Sequence, residues 1–342
     1  MQHLLSAGKL LDEHGHLCEA GYATSLVKEY DRRDIRAAAH RIKEWDYYLV
    51  YNNDFGVALT IDDNSYMGLL SASFLDFKSR REVTVSPIKP LTFGSTHFPS
   101  TSVTGDIKAS CKGAEFSFDV FPDKRVLKCH FDKFSNEEFT ANIELTDFPR
   151  DSMVIATPFS EDKKAFYYNQ KIIGMRASGT VMFEGKQYEF SPDDSFGLLD
   201  WGRGVWTYNN TWYWGAAQGI IDSHKFGFNI GYGFGDTSKA SENMLFYDGI
   251  AHKIGRLTFD MKHNEYGSID FMAPYGIVSD DGRFDVTLTP ILDRSAYTSI
   301  GIVLSDQHQV FGHFTGKAVL DDGTVVSFEN LLGFAEKVRN KW

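Results

Sequence analysis

From Trp45 onward, short apolar runs alternate with polar clusters at the two-residue period of half-buried strands. YYLVYNN, GVALTID, EFSFDVF, RVLKCHF and FTANIEL show it in the first half of the chain, and GTVMFEG, KFGFNIGYGFGD, RLTFDMK, RFDVTLTP and VVSFENLLGFAE in the second. Turn clusters at Asn52-Asn53-Asp54 and Asp62-Asp63-Asn64 separate the runs, as do the Asp-Gly pairs Asp248-Gly249, Asp281-Gly282 and Asp322-Gly323. No strand–helix alternation occurs, which argues against a parallel sheet and its nucleotide site. The pattern predicts an all-β protein of two successive antiparallel barrels or curved sandwiches. Residues 1–30 read as a hairpin element turning at His14-Gly15. The spacing of Ile35, Ala38, Ala39 and Ile42 then predicts one short N-terminal helix, capped by Asp31, with Arg32, Arg33, Arg36, Arg41 and Lys43 on its solvated face. The expected organisation is a hairpin and helix over 1–44, a first β-domain over 45–190 and a second over 191–342.

Composition adds that the sheets have something to enclose. Phe, Tyr and Trp together make 15% of the chain, and such residues favour pleated half-buried faces and large apolar cavities. The net charge of -11 sets up a far field that repels nucleic-acid phosphates and anionic lipid surfaces, so no nucleic-acid partner is expected. Cys18, Cys111 and Cys129 are odd in number and widely spaced, which suits reduced thiols in a cytoplasmic protein. Lys9 and Asp12 interrupt the N-terminus before any apolar stretch forms, and no run is long enough to span a membrane.

Candidate chemistry concentrates in SFGLLDWGRGVWTYNNTWYWGAAQG, from Ser195 to Gly219. It holds Trp201, Trp206, Trp212 and Trp214 with Tyr208, Tyr213, Asp200 and Arg203. Strand alternation puts Trp212 and Trp214 on one face and Tyr213 on the other. Gly202 and Gly204 around Arg203 suggest a bulge that re-aims side chains. A carboxylate among indoles is desolvated and tends to hold its proton, whereas a nearby guanidinium favours the anion. Residue types alone leave both readings open: Asp200 as a proton donor with Arg203 as a ligand contact, or the two as a structural ion pair. The following KFGFNIGYGFGD carries Gly227, Gly231, Gly233 and Gly235 without the Lys-Ser or Lys-Thr of a phosphate loop. Its glycines would let a ligand or an aromatic ring approach the backbone. Asn229, Glu242 and Asn243 supply polar groups there, and Glu242 pairs with Asp200 as base and acid if their strands converge. His14, His16 and Cys18 alternate as metal ligands could, although a polar hairpin accounts for them better, and no metal or other cofactor is expected.

LLDWGRGVWTYNNTWYWGAAQG, GFNIGYGFGD and SENMLFYDG, with EWDYY near Trp45 and the closing GFAEKVRNKW, resemble a bacterial family of unknown function along most of the chain. GTVMFEGKQYEF, the Asp-Trp-Gly run and the Trp-rich strand are more distantly similar to the carotenoid hydratase (hydroxyneurosporene synthase) group of two-domain lipocalin-like proteins of the calycin type. That resemblance implies tandem lipocalin-like barrels, acid-promoted hydration or cyclisation of alkenes, and Asp200 as the acid. The leading expectation is thus a protein enclosing a small apolar or amphipathic ligand and acting on it, as a lyase or isomerase of the hydratase type, without cofactor. Asp200 and Glu242 would be catalytic, with Trp201, Arg203, Trp206, Tyr208, Trp212, Trp214, Asn229 and Asn243 around the ligand. A glycoside-active enzyme, its carboxylates and aromatic platforms holding a sugar, is one alternative. A non-catalytic carrier is the other.

Overall fold

The computed structural model describes residues 2–341 and is almost entirely β, with curled antiparallel sheets that form half-barrel walls. The main path of the first sheet runs from Arg81–Val85 through Met67–Asp76, Phe55–Asp63, Ile42–Tyr51, Phe196–Val205, Asp162–Phe183, Glu137–Thr146, Arg125–Phe134 and Ala114–Val120 to Ile107–Cys111. The second runs from Ile250–Lys253 through Met244–Tyr247, His224–Tyr232, Asn209–Ile221, Val325–Lys341, Val303–Val319, Phe284–Ile300 and Tyr275–Ser279 to Leu257–Phe259. Sequential hairpins build most of both paths, as the turn signals lead one to expect.

Each curled sheet encloses its own phenylalanines. Phe116, Phe131, Phe134, Phe139 and Phe183 pack inside the first, and Phe226, Phe228, Phe284, Phe314 and Phe328 inside the second. The first core continues without a break into Trp214, Phe234, Phe311 and Phe334 of the second sheet. The outer face of the central strands of the first sheet is therefore a floor on which the second sheet sits. Phe196–Val205 is buried at every position. A strand covered on both faces reads as a continuous apolar run rather than an alternating one, and FGLLDWGRGV does so apart from two charges.

Three expectations need correction. The N-terminal helix is absent: Arg32–Asp34 and Ala39–Arg41 are single 3₁₀ turns, and Ile42 already begins a strand. Asp31 does cap, accepting from the Arg33 amide at 2.8 Å. The arginines, however, find partners on distant strands, Arg32 on Glu44 and Ser65, and Arg41 on Asp162 and the Trp206 carbonyl. Those contacts outweigh the helix signal of Ile35, Ala38, Ala39 and Ile42, an apolar face with little surface to bury. Second, no bulge occurs at Gly202 to Gly204, because both ladders run in unbroken register from Asp200 to Val205. The irregularity lies across the ladder, between Ile172 and Met175, where Gly174 takes a positive φ of 89°. Third, Phe196–Val205 pairs in the first sheet, and the chain crosses to the second only at 206–208. A strand that closes a sheet by long-range pairing carries no local mark of which sheet it joins.

Candidate functional site

The candidate site lies between the two sheets, where a polar row on one faces a polar row on the other. In the first sheet, strand register sets Lys171, Asp200 and Tyr47 side by side. In the second it sets Gly231, Trp214, Glu336, Gln309 and Arg294 side by side. Lys171 Nζ lies 2.6 Å from Asp200 Oδ2 and 3.8 Å from the centroid of a Trp214 ring, so it joins the rows. Asn169 donates to Asp200 Oδ1 at 2.6 Å, occupying the second carboxylate oxygen. Gln309 donates to the Tyr47 hydroxyl at 3.2 Å across the gap, and Arg294 donates to Gln309 at 2.8 Å.

Two further carboxylates flank this centre. Glu336 accepts from the Trp212 indole at 3.0 Å. Glu242 accepts from Asn229 Nδ2 at 3.1 Å, and Asn229 in turn accepts from the Trp214 indole at 2.7 Å. Glycine makes room for Glu242, since a Cβ at Gly231 would sit 2.6 Å from Glu242 Oε1. Glu242 and Glu336 are surrounded by dense protein yet keep part of their surface open to solvent, as do Trp45 and Trp212, and this partly open seam between the sheets is the cleft. Desolvation pushes the Glu336 carboxyl up to about 7, with the Trp212 hydrogen bond and the Lys171 charge opposing it. Burial likewise raises Glu242, against the pull of Lys171. Tyr167, packed beside them, is raised well above the usual phenol range by burial and by the charges of Asp200, Glu242 and Glu336. One ammonium thus serves three carboxylates, and its short contact is with Asp200. Such a cluster holds an exchangeable proton near neutral pH.

Aromatic rings wall the cleft. Trp206 packs edge to face on Trp45, Trp212 and Phe234, and Trp45 stacks on Tyr167 at 6.0 Å. Gly202 is what admits Trp45, since a Cβ there would lie 1.9 Å from Trp45 Cζ2. The glycines flanking Arg203 therefore serve close approach, not a bend.

Several sequence candidates converge here. Asp200, Glu242, Trp206, Trp212, Trp214 and Asn229 meet in the cleft, and Asn243 lies next to Glu242 with its side chain spent on the Gly231 amide and the Gly255 carbonyl. Tyr208 is half exposed at the cleft's edge. Trp201 and Arg203 are elsewhere. Both point into the first barrel, since residues an odd number apart on a strand face opposite ways. Arg203 is wholly buried, 3.0 Å from Asp46, and donates to the carbonyls of Trp45, Gly202 and Pro99. Of the two readings left open, the Asp200–Arg203 ion pair does not form, since Lys171 pairs with Asp200, and Arg203 is not beside the candidate ligand site either. Lys171, Glu336, Tyr167, Asn169, Tyr47, Gln309 and Arg294 escaped the sequence reading. The available signal was a charge inside an apolar run, Lys171 in AFYYNQKIIGM and Glu336 in LLGFAEKV.

Among the described residues no group of three or more His, Cys, Asp and Glu is placed to hold a metal ion, and His14, His16 and Cys18 belong to the polar N-terminal turn region. A separate hollow of about 830 Å³ opens in the first sheet, lined by Ile61, Leu70, Phe116 and Cys129 with Lys89 and Lys108. It lies apart from the cleft's indoles and carboxylates, and its own lining includes Asp62, whose carboxyl burial pushes up to about 7.

No curated protein matches the sequence. Among solved structures, a putative AttH from Nitrosomonas europaea is similar with a TM-score of 0.57 at 11% identity, over 92% of this chain and 98% of its own. CghA is similar with a TM-score of 0.54 at 10% identity, over 98% and 97%. Kievitone hydratase from Nectria haematococca reaches 0.45 at 12% identity, over 88% of each chain, too loose to support an argument. At such identities the likeness is one of fold. Residues 2–342 match the profile of one family end to end, and the chain belongs to that family, the domain of unknown function DUF2804.

Proposed function

We propose that the inter-sheet cleft binds a small apolar or amphipathic molecule and performs acid–base chemistry on it, of the hydratase, isomerase or cyclase type. The observation that carries this reading is Glu336, a carboxyl near neutrality on the Trp212 indole, facing the Lys171–Asp200 pair in an aromatic cleft. A group with a pKa close to ambient pH suits general acid catalysis. The proton would pass from Glu336 to a carbon–carbon double bond or an oxygen of the ligand. The Trp212 and Trp214 faces would stabilise the developing positive charge. Glu242 would then take a proton from an attacking water or from the adjacent carbon, returning the ligand to neutrality. Asp200, with both oxygens occupied by Lys171 and Asn169, fits a positioning role better than the donor role its sequence context suggests.

The test is native mass spectrometry of gently purified protein, organic extraction of what it carries, and incubation of the recovered molecule with enzyme in deuterated water. Deuterium should enter the molecule with the wild type and not with Glu336→Gln. Equal exchange with both proteins would remove Glu336 from the mechanism, and a bound molecule that never exchanges would make this a carrier.

A further inference from the structure

Two features play no part in the cleft's chemistry: the basic run that begins at Arg32, and a long hairpin of the second sheet. The hairpin Phe284–Ile300 with Val303–Val319 overshoots its neighbours, since Leu304 pairs with Lys341, and Lys341 with Asn209, the first residue of Asn209–Ile221. Past that level lies the turn from Ile300 to Val303, and the exposed surface begins before it: residues 295–302 are all exposed, and SAYTSIGIVLS over 295–305 contains no charge. Tyr297, Ile300 and Ile302 are 69%, 73% and 77% exposed. Other turns of the same sheet are tipped by Asp281-Gly282 and Asp322-Gly323, the usual polar choice for water.

This tip is tied to the cleft's edge. The Tyr208 hydroxyl donates to the Ile302 carbonyl at 2.5 Å, and Tyr208 follows closely on Trp206, where the cleft's indoles begin. Basic groups frame the same end. Lys337, Arg339 and Lys341 share one face of the closing strand. Arg41 grips the Trp206 carbonyl at 3.0 Å at the crossover, with the exposed His40 next to it in the chain.

We propose that this end of the molecule docks on a lipid surface bearing anionic headgroups, with Tyr297, Ile300 and Ile302 entering the apolar layer and the basic residues meeting the headgroups. The overall charge of -11 opposes approach only at long range. Salt screens that field within about 8 Å, and at contact the local groups count: Lys337, Arg339 and Lys341 outnumber the one acidic neighbour in register with them, Asp306. Docking does not depend on the acid–base reading. It would set the aromatic mouth of the cleft at the surface in which an apolar ligand dissolves.

The experiment is flotation of the full chain with two kinds of vesicle, phosphatidylcholine alone and phosphatidylcholine mixed equally with phosphatidylglycerol. The protein should float with the mixed vesicles and much less with the neutral ones. The double substitution Ile300→Ser and Ile302→Ser, at exposed positions that leave both cores intact, should weaken binding to mixed vesicles at least about tenfold. Arg339→Gln with Lys341→Gln should reduce it severalfold and flatten its salt dependence. Absence of flotation with either vesicle, or equal flotation of the serine variant, would overturn the proposal. A concentration-dependent dimer abolished by the serine substitutions, without vesicle binding, would reassign the tip to contact between copies of this chain.

Discussion

Lys171 is the residue on which the cleft's electrostatics turn. It is buried among Asp200, Glu242 and Glu336, and the last two carboxyls are raised by burial despite its charge. Lys171→Met would strip Asp200 of its paired ammonium and leave Glu242 and Glu336 only the weaker pull of Lys253 and Arg294, and stability at pH 8 should fall by about 3 kcal/mol, the usual result of breaking a buried pair from one side. The loss should shrink as acid neutralises the carboxyls, which urea titrations at pH 5 and pH 8 would show. Glu336 gives a second pH signature. Its folded-state value of about 7 exceeds the ordinary carboxyl value of 4.5, so between those limits the folded protein binds more protons than the unfolded chain. Stability therefore falls as pH rises from about 4.5 to about 7. Glu336→Gln removes this dependence, and relative to wild type it should gain on the order of 2 kcal/mol across the interval. Arg203 belongs to a different account, since its charge holds Asp46 inside the first barrel. Arg203→Leu should lower the melting temperature sharply, and refolded protein should bind ligand with unchanged affinity.

At the scale of the element, the strand Phe196–Val205 is central because each of its faces does something different. Trp201 and Arg203 fill the barrel, while Asp200 and Gly202 look into the cleft. Gly202→Ala should therefore displace Trp45 from its stack on Tyr167, with a stability loss of about 1–3 kcal/mol from overpacking and a red shift in tryptophan emission. An unshifted spectrum would mean that the cleft wall does not depend on this glycine. The hairpins were legible because Asp-Gly pairs and period-two alternation are local signals. The helix expected from Asp31 failed for the opposite reason, as Arg32 reaches Ser65 and Arg41 reaches Asp162, both outside that segment.

The core of the first sheet does not stop at the sheet boundary but runs from Phe77 through Phe311 to Phe334 and Trp214 of the second sheet, which keeps a second core of its own. Heating should accordingly give a single calorimetric transition, with the calorimetric and van't Hoff enthalpies in agreement. Two resolved transitions would mean that the halves are held together only weakly. Family membership covers residues 2–342, and the two-sheet fold takes in both halves of the described residues.

The linear order of residues determined by itself the all-β class, the positions of many hairpin turns, the aromatic richness of the interior and the candidacy of Asp200, Glu242 and the tryptophans. Those properties follow from alternation, turn chemistry and side-chain type, which act over a few residues. Only the tertiary structure decided that Asp200 meets Lys171 and not Arg203, and that Glu336, close to the end of the chain, joins Glu242 in one cleft. Those juxtapositions arise from pairing between strands far apart in sequence and from the packing of one sheet on another. No window of neighbouring residues records them.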